Sequence, residues 1–502
     1  MSVLRKLASQ TAIYGLSSIV ARFLNYLLTP LHTSKSVFSE SEYGVISEMY
    51  AYVAFLIIFL TYGMETAFFR FYSKEENDKR SVFTTTFWTL FISSSLFIFV
   101  AVLFSGSIAG LLDYSNHPEY IVWFAVVVGL DALSSIPMAY LRAEGKAMRF
   151  AMVNIISVAV NILLNLFFLA YCMPIVKSGN ANWLTDTFYN PAIGVGYVFI
   201  ANLASSIVKF ILLSPEIARS FSRFSFSLLE KMLLFGLPLM VAGFAGMINE
   251  TIDRILLKKI LSEPLGTDGA LAQVGIYSAV YKLSIIITLF IQAFRYAAEP
   301  FFFAQEKEKN SGMIYARVMN YFVIVCAVIF LGVMLYIDVL KHFVPNQAYW
   351  NALHIVPVLL FANIFLGIYY NQSIWYKLSG RTMYGAWIAV FGAILTLVLN
   401  VILIPVFGYV GSAWTTFACY GSMMVLSYFL GRRFYPVPYK VGKVFFYLIM
   451  AFAMYYGSAF IPIEWGWERA IVHSFILRVY MAMIWFIERP LKNLKSHESQ
   501  SH

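Results

Sequence analysis

Apolar stretches long enough to cross a bilayer follow one another almost from end to end of this 502-residue chain. A spanning helix needs about 20 mostly apolar residues, because hydrocarbon offers no water to satisfy backbone polar groups. Fourteen segments reach that length, the first at roughly 8–31 and the last at roughly 467–487. With 60% hydrophobic and 12% charged residues, the chain could not solvate such a surface as a soluble domain. The expected fold class is an all-α polytopic membrane protein of about fourteen transmembrane helices.

Basic residues set the orientation, since Lys and Arg accumulate on the cytoplasmic flanks of spans. If the N-terminus is inside, the inner connections carry twenty-four of them, among them Arg70, Lys74, Arg142, Lys146, Lys377, Arg381, Arg432 and Arg433. The outer connections carry six: Lys35, Lys177, Lys258, Lys259, Lys341 and Arg469. This split predicts a multi-pass membrane protein with both termini cytoplasmic. The net charge of +10 is then positive-inside bias, drawn to anionic inner-membrane lipids, and requires no nucleic-acid partner. With no small-residue cleavage site after it, the first apolar segment reads as an anchor and not a removed signal. Cys172, Cys326 and Cys419 lie far apart in or beside apolar segments and read as packing residues.

The chain also repeats itself. At an offset of 231, Gly44 falls on Gly275, Ser47 on Ser278, Tyr50 on Tyr281, Phe59 on Phe290, Ala67 on Ala298 and Phe71 on Phe302. At an offset of 235, Arg142-Ala-Glu-Gly145-Lys146 falls on Lys377-Leu-Ser-Gly380-Arg381, and Asn165 on Asn400. Both basic-x-x-Gly-basic sequences are short inner turns, where Gly permits tight reversal and the cations hold the turn at the cytoplasmic face. The expected organisation is two pseudo-symmetric six-helix bundles, 1–230 and 231–433, an additional helix pair at 434–488 and a cytoplasmic tail at 489–502. Parallel duplication of this kind favours a central site between halves, opened alternately to each side.

The order of short motifs resembles a known family. The first half reads Arg22…Pro30-Leu31…Glu42-Tyr43-Gly44…Gly63…Arg70-Phe71-Tyr72. The second reads Phe235-Gly236-Leu237-Pro238…Asp253-Arg254…Gly275-Ile276-Tyr277-Ser278…Glu299-Pro300-Phe301, then Asn400…Ile404-Pro405…Gly408-Tyr409-Val410-Gly411. Over nearly the whole chain this is similar to the polysaccharide transporters of the multidrug/oligosaccharidyl-lipid/polysaccharide exporter superfamily, the Wzx-like flippases. The resemblance implies a V-shaped two-bundle fold that flips undecaprenyl-pyrophosphate-linked oligosaccharide repeat units across a bacterial inner membrane for surface polysaccharide. It makes polymerase and other assembly proteins candidate partners. Drug exporters of the superfamily usually stop at twelve helices. The peptidoglycan-precursor flippase carries an acid directly after an arginine in its first helix, where this chain has Arg22-Phe23.

Ionisable groups at membrane depth are costly and normally face a protein-lined or watery cavity. They are Arg22, Glu65, Asp131, Lys209, Glu250, Asp253, Arg254, Lys282, Arg295 and Glu299. For the pyrophosphate head that the resemblance implies, Arg22, Lys282, Arg295 and Arg254 are the candidate substrate-binding cations, Arg supplying paired donors and Lys a point charge. Glu250, Asp253 and Glu299 stand beside or one turn from an arginine and are expected as structural ion pairs. Glu65 and Asp131 have no in-helix partner and are the candidates for proton or sodium coupling. Lys209 is placed to snorkel. The chain contains no cofactor, metal or nucleotide motif and no outer loop long enough for a catalytic domain, so an enzyme is not expected. The competing functions are a cation-coupled multidrug exporter, a peptidoglycan-precursor flippase and a membrane glycosyltransferase or polymerase. A cationic lumen favours the anionic lipid.

Overall fold

The computed structural model describes residues 15, 17–74, 78–219, 222–305, 310–461 and 466–488, and among these it contains helices and no strand. The first helix, α1, is described over 17–26. Then follow α2 (Glu40–Thr61, resumed as Met64–Tyr72), α3 (Lys79–Leu103), α4 (Pro118–Ala143), α5 (Ala147–Asn165, prolonged by a π-helical Leu166–Cys172) and α6 (Gly196–Leu212). Helices α7 and α8 run together as Phe226–Tyr281, parted by a non-helical Gly266, and α8 resumes as Ile285–Ala304. The rest are α9 (Ser311–Leu335), α10 (Val356–Gln372), α11 (Met383–Phe407), α12 (Tyr409–Phe434), α13 (Val441–Ser458) and α14 (Trp467–Glu488).

Eleven described stretches are long and apolar enough to cross a membrane, and one of them, Phe226–Tyr296, contains both α7 and α8. With the partly described α1 and the 26-residue α12, helices occupy the positions of all fourteen expected segments. The protein is a multi-pass membrane protein. The expected tail at 489–502 lies outside the described residues.

Packing divides the chain into two compact units, one running to Ala279 with Ala389–Ser412 added, the other made of Val280–Ile388 and Ala413 onward. This partition follows contacts, whereas the expected bundles 1–230 and 231–433 follow the order of the duplication. The two boundaries do not coincide, because α7, the first part of α8 and much of α11 pack with the first six helices.

In the first unit α4 is the core: 67% of its apolar window is buried, against 28% for α3. Lipid is as apolar as Leu, so helices associate here through close van der Waals fit and small residues. Two glycine crossings provide it. The α2 kink at Tyr62 and Gly63 (φ +76) lies against Gly236 of α7, and a Cβ on Gly63 would run into the Gly236 carbonyl. At the start of α2, a Cβ on Gly44 would strike the Leu271 carbonyl, while one on Gly275 would strike the Glu40 carbonyl. Those contacts exchange under the 231 offset, so the matched glycines meet as a pseudo-symmetric pair.

The second match is equally local. Asn165 donates to the Asn161 carbonyl at 2.8 Å, and Asn400 donates to the Thr396 carbonyl at 2.9 Å, both buried and both at i−4. Their oxygens take different partners, His32 at 2.8 Å and Ser412 at 2.9 Å.

In the second unit α9 and α10 form the core. The additional pair closes on α9 through one carboxylate at the end of α14. Glu488 accepts from Lys443 at 2.7 Å, from Asn320 at 3.1 Å and from the Tyr447 hydroxyl, tying α13, α9 and α14 together. Tyr480 adds a bond to the Tyr447 carbonyl at 2.9 Å.

Candidate functional site

In the first unit the ionisable groups fall into an α7 cluster and several ion pairs between helices, and in the second they gather beside α8. In the first, α7 presents Glu250, Asp253 and Arg254 within two turns. Arg254 Nη1 donates to Asp253 Oδ1 at 2.9 Å and to the Glu250 carbonyl at 3.0 Å. The Tyr277 hydroxyl of α8 donates to the other Asp253 oxygen at 2.6 Å, and the Tyr277 ring lies 5.6 Å from the Arg254 guanidinium. Asp253 is 5% exposed, so both oxygens are used inside the protein. Tyr26 on α1 lies within electrostatic reach of Arg22, Arg254 and Glu250, and Tyr43 on α2 within reach of Arg254 and Tyr26. The structure therefore joins Arg22 and Arg254 in one neighbourhood. Of the two, Arg22 is exposed, while Arg254 is held by its acid. The expected pairing of Arg254 with Asp253 is present; Glu250 contributes its backbone carbonyl to that arginine.

One turn further, α7 carries a group that the sequence reading placed in an outer loop. Helix α7 continues past 257, and Lys258, 3% exposed, lies 3.2 Å from Glu48 of α2, itself 1% exposed. The lysine also donates to the Leu112 carbonyl, and its ammonium lies 4.1 Å from the Tyr114 ring centroid. Glu48 accepts from the Tyr114 hydroxyl and from Tyr52 at 3.1 Å. Burial, then the Glu48 carboxylate, raise the Tyr114 ionisation far above its usual range, so the phenol keeps its proton. This closed network was missed. An acid five residues into an apolar run was the available signal.

The coupling candidates both meet cations on other helices. Glu65 pairs with Arg142, and Asp131 accepts from Lys209 at 3.3 Å and from Ser206 at 3.4 Å. The absence of an in-helix partner therefore said nothing about a partner across the bundle, which only helix rotation determines.

The second unit holds the remaining cations. Lys282 begins a 3₁₀ turn, Lys282–Ser284, that interrupts α8 and is half-buried. Arg295, exposed on α8, stacks on Tyr370 of α10, its guanidinium 4.0 Å from the ring centroid. The Glu299 side chain, its expected partner, lies outside the described residues. Beside Arg295 opens a cavity of about 170 Å³ lined by Lys377, Tyr369, Tyr370, Tyr376 and Ser373, with Phe294 and Phe302 forming apolar wall. A stacked guanidinium keeps its edge donors available, and an ammonium with hydroxyl groups on the same wall suits oxyanion chemistry. Lys377 was read only as a turn cation; its register with Arg142 in the repeat was the signal for looking there.

Several comparisons bear on this arrangement. The sequence pattern described as "Polysaccharide biosynthesis protein" matches residues 7–306, more than half of the chain. No curated protein sequence matches it. Among solved structures, "Lipid II flippase MurJ, inward closed conformation" superposes with a TM-score of 0.73 at 13% identity, covering 95% of this chain and 99% of that one. An inward-facing "multidrug resistance MATE family transporter of the MOP superfamily" gives 0.63 at 14% identity, covering 84% and 94%. At such identities the likeness establishes the fold, and the sequence pattern establishes the family. The chain belongs to the polysaccharide biosynthesis protein family and shares its fold with these two solved transporters.

Proposed function

We propose that the protein flips an oligosaccharide carried on polyprenyl pyrophosphate across a bacterial inner membrane, with both termini and the basic turns in the cytoplasm. The observation that carries this reading is the cavity in which Arg295 and Lys377 share a wall with three tyrosines and Ser373. The two cations suit a diphosphate and repel a cationic drug, and the aromatic wall suits the first sugar. Family membership in polysaccharide biosynthesis supports the sugar cargo. Arg22, exposed beside Tyr26, and Lys282 at the break in α8 supply further stations for the anion, while Arg254 is a positioning residue held by Asp253. Glu65 and Asp131 are candidates for proton or sodium coupling. Polymerase and other assembly proteins are the expected partners.

The test is transport of a fluorescent polyprenyl-pyrophosphate oligosaccharide in proteoliposomes. Arg22→Ala or Lys282→Ala should lower the rate about tenfold or more, the effect of removing a charged hydrogen bond. Exchange to the other cation should retain more at Lys282 than at Arg22, because Lys cannot reproduce a paired phosphate contact. Wild-type rates in both Ala variants, or uptake of a cationic drug in place of the lipid, would reject the proposal. Equal transport of lipid II would assign the cargo to peptidoglycan precursors.

A further inference from the structure

The duplication that relates the two basic turns also relates the helices beside them, and there it exchanges a large residue for a small one. At the offset of 235, Tyr376 stands where the first repeat has Leu141, and Gly385 where it has Phe150. In the first repeat Leu141 and Phe150 are buried together with Met138, and the Arg142 guanidinium lies 5.8 Å from the Phe150 ring centroid. In the second repeat the ring comes from the other position. A Cβ on Gly385 would lie 2.8 Å from Tyr376 Cε2, 2.9 Å from Cζ and 3.2 Å from the hydroxyl. Only glycine at the start of α11 leaves Tyr376 its present place.

That place is one wall of the Arg295 cavity. Elsewhere the Tyr376 ring is hemmed in. Trp375 meets it edge-on at 5.3 Å, and Trp375 is itself buried and donates to Ser427 at 3.2 Å. The Tyr376 and Tyr369 hydroxyls share a hydrogen bond. A close-packed interior passes a displacement on to whatever space is open. For Tyr376 that space is the cavity, so a side chain at 385 would drive the ring into it. The cavity volume, about 170 Å³, is close to the ~150 Å³ void that holds one benzene ring. It has room for one six-membered ring and little to spare. Ser373 and Tyr370, also on its wall, stand where the first repeat has Met138 and Ser135, so this lining is not shared by the two repeats.

We propose that Gly385 determines specificity for the sugar next to the pyrophosphate. By seating Tyr376 against α11, it keeps the cavity wide enough for one pyranose ring beside the two cations and keeps the wall aromatic. Sugar C–H groups carry partial positive charge, and the face of an aromatic ring is its negative side. The inference rests on the proposed function, in which Arg295 and Lys377 hold the pyrophosphate, and adds what reads the group attached to it. Gly385 acts through Tyr376 and is not itself on the cavity wall.

The experiment measures binding to the purified full chain of two short-chain polyprenyl pyrophosphates, one bare and one carrying a single hexose. Gly385→Ala should weaken the hexose-bearing lipid about tenfold, the scale of overpacking one wall, and leave the bare lipid unchanged. Tyr376→Leu, which copies the first repeat, should also weaken the hexose-bearing lipid. In that background Gly385→Ala should have no further effect, because no ring remains to be displaced. This comparison decides the matter even if Gly385→Ala alone unfolds. Equal loss of both lipids in a folded Gly385→Ala protein, loss of neither, or a second loss in the Tyr376→Leu background would overturn the role of Gly385. Arg295→Ala separates this role from the function itself. It should weaken both lipids, and full retention of the bare lipid there would reject the pyrophosphate site and the inference with it.

Discussion

The two basic-x-x-Gly-basic turns share a backbone and differ in what their charges do. In the first, Gly145 has φ +69, and Lys146 N–H bonds to the Leu141 carbonyl at 2.8 Å. In the second, Gly380 has φ +68, and Arg381 N–H bonds to the Tyr376 carbonyl at 2.8 Å. Around the first, acids close the charge: Glu65 takes Arg142, and Glu144 accepts from the Tyr72 hydroxyl at 2.7 Å. In the second, Leu378 and Ser379 stand where Ala143 and Glu144 stood. Lys377 lines the Arg295 cavity, and Arg381 lies 4.2 Å from the Phe434 ring centroid. The first turn thus holds Arg142 by an acid, while in its counterpart the matching Lys377 lines a cavity and Arg381 stacks on a ring. The first unit also holds the buried Glu48–Lys258 pair.

The strongest test removes that buried pair. Lys258→Met should lower stability by about 3–5 kcal/mol, because it leaves Glu48 as an uncompensated buried charge, and Glu48→Gln should cost less, because Lys258 keeps Asp113 at 3.7 Å. The double variant should lose much less than the sum, measured by thermal unfolding in detergent. Additive losses would show that the two residues do not act as a pair.

Next come the turn cations. Arg295→Ala and Lys377→Ala should each reduce lipid-linked oligosaccharide transport about 10- to 100-fold with little change in thermal stability. Arg142→Ala should do the opposite. Its pair with Glu65 is more than a third exposed, so solvent screening limits the loss to about 1 kcal/mol, with transport per folded molecule kept. Equal transport defects at Arg142 and Lys377 would mean that the two turns serve the same role.

The smallest effect tests the shared backbone. Gly145→Ala and Gly380→Ala each place a Cβ in the left-handed region and should cost a similar ~1 kcal/mol. A clear inequality in thermal unfolding would break the equivalence of the turns.

Much of this protein was legible in one dimension. Length and apolarity of the segments gave helices at all fourteen positions, since a bilayer admits few other ways to satisfy a backbone. The match of Gly44 with Gly275 marked the repeat, and packing makes it a close crossing, because only the smallest residue leaves room for a neighbouring carbonyl. Arg22 and Arg254 were singled out as rare intramembrane charges, and they share one neighbourhood.

What the chain alone could not determine is which charge meets which. Asp131 finds Lys209 seventy-eight residues away, and Lys258, assigned to a loop, turns inward on an extended α7 to reach Glu48. Hydropathy reports whether a segment can lie in lipid. The rotation of each helix about its axis, and hence whether a cation faces a carboxylate or an open cavity, is decided only when the helices pack.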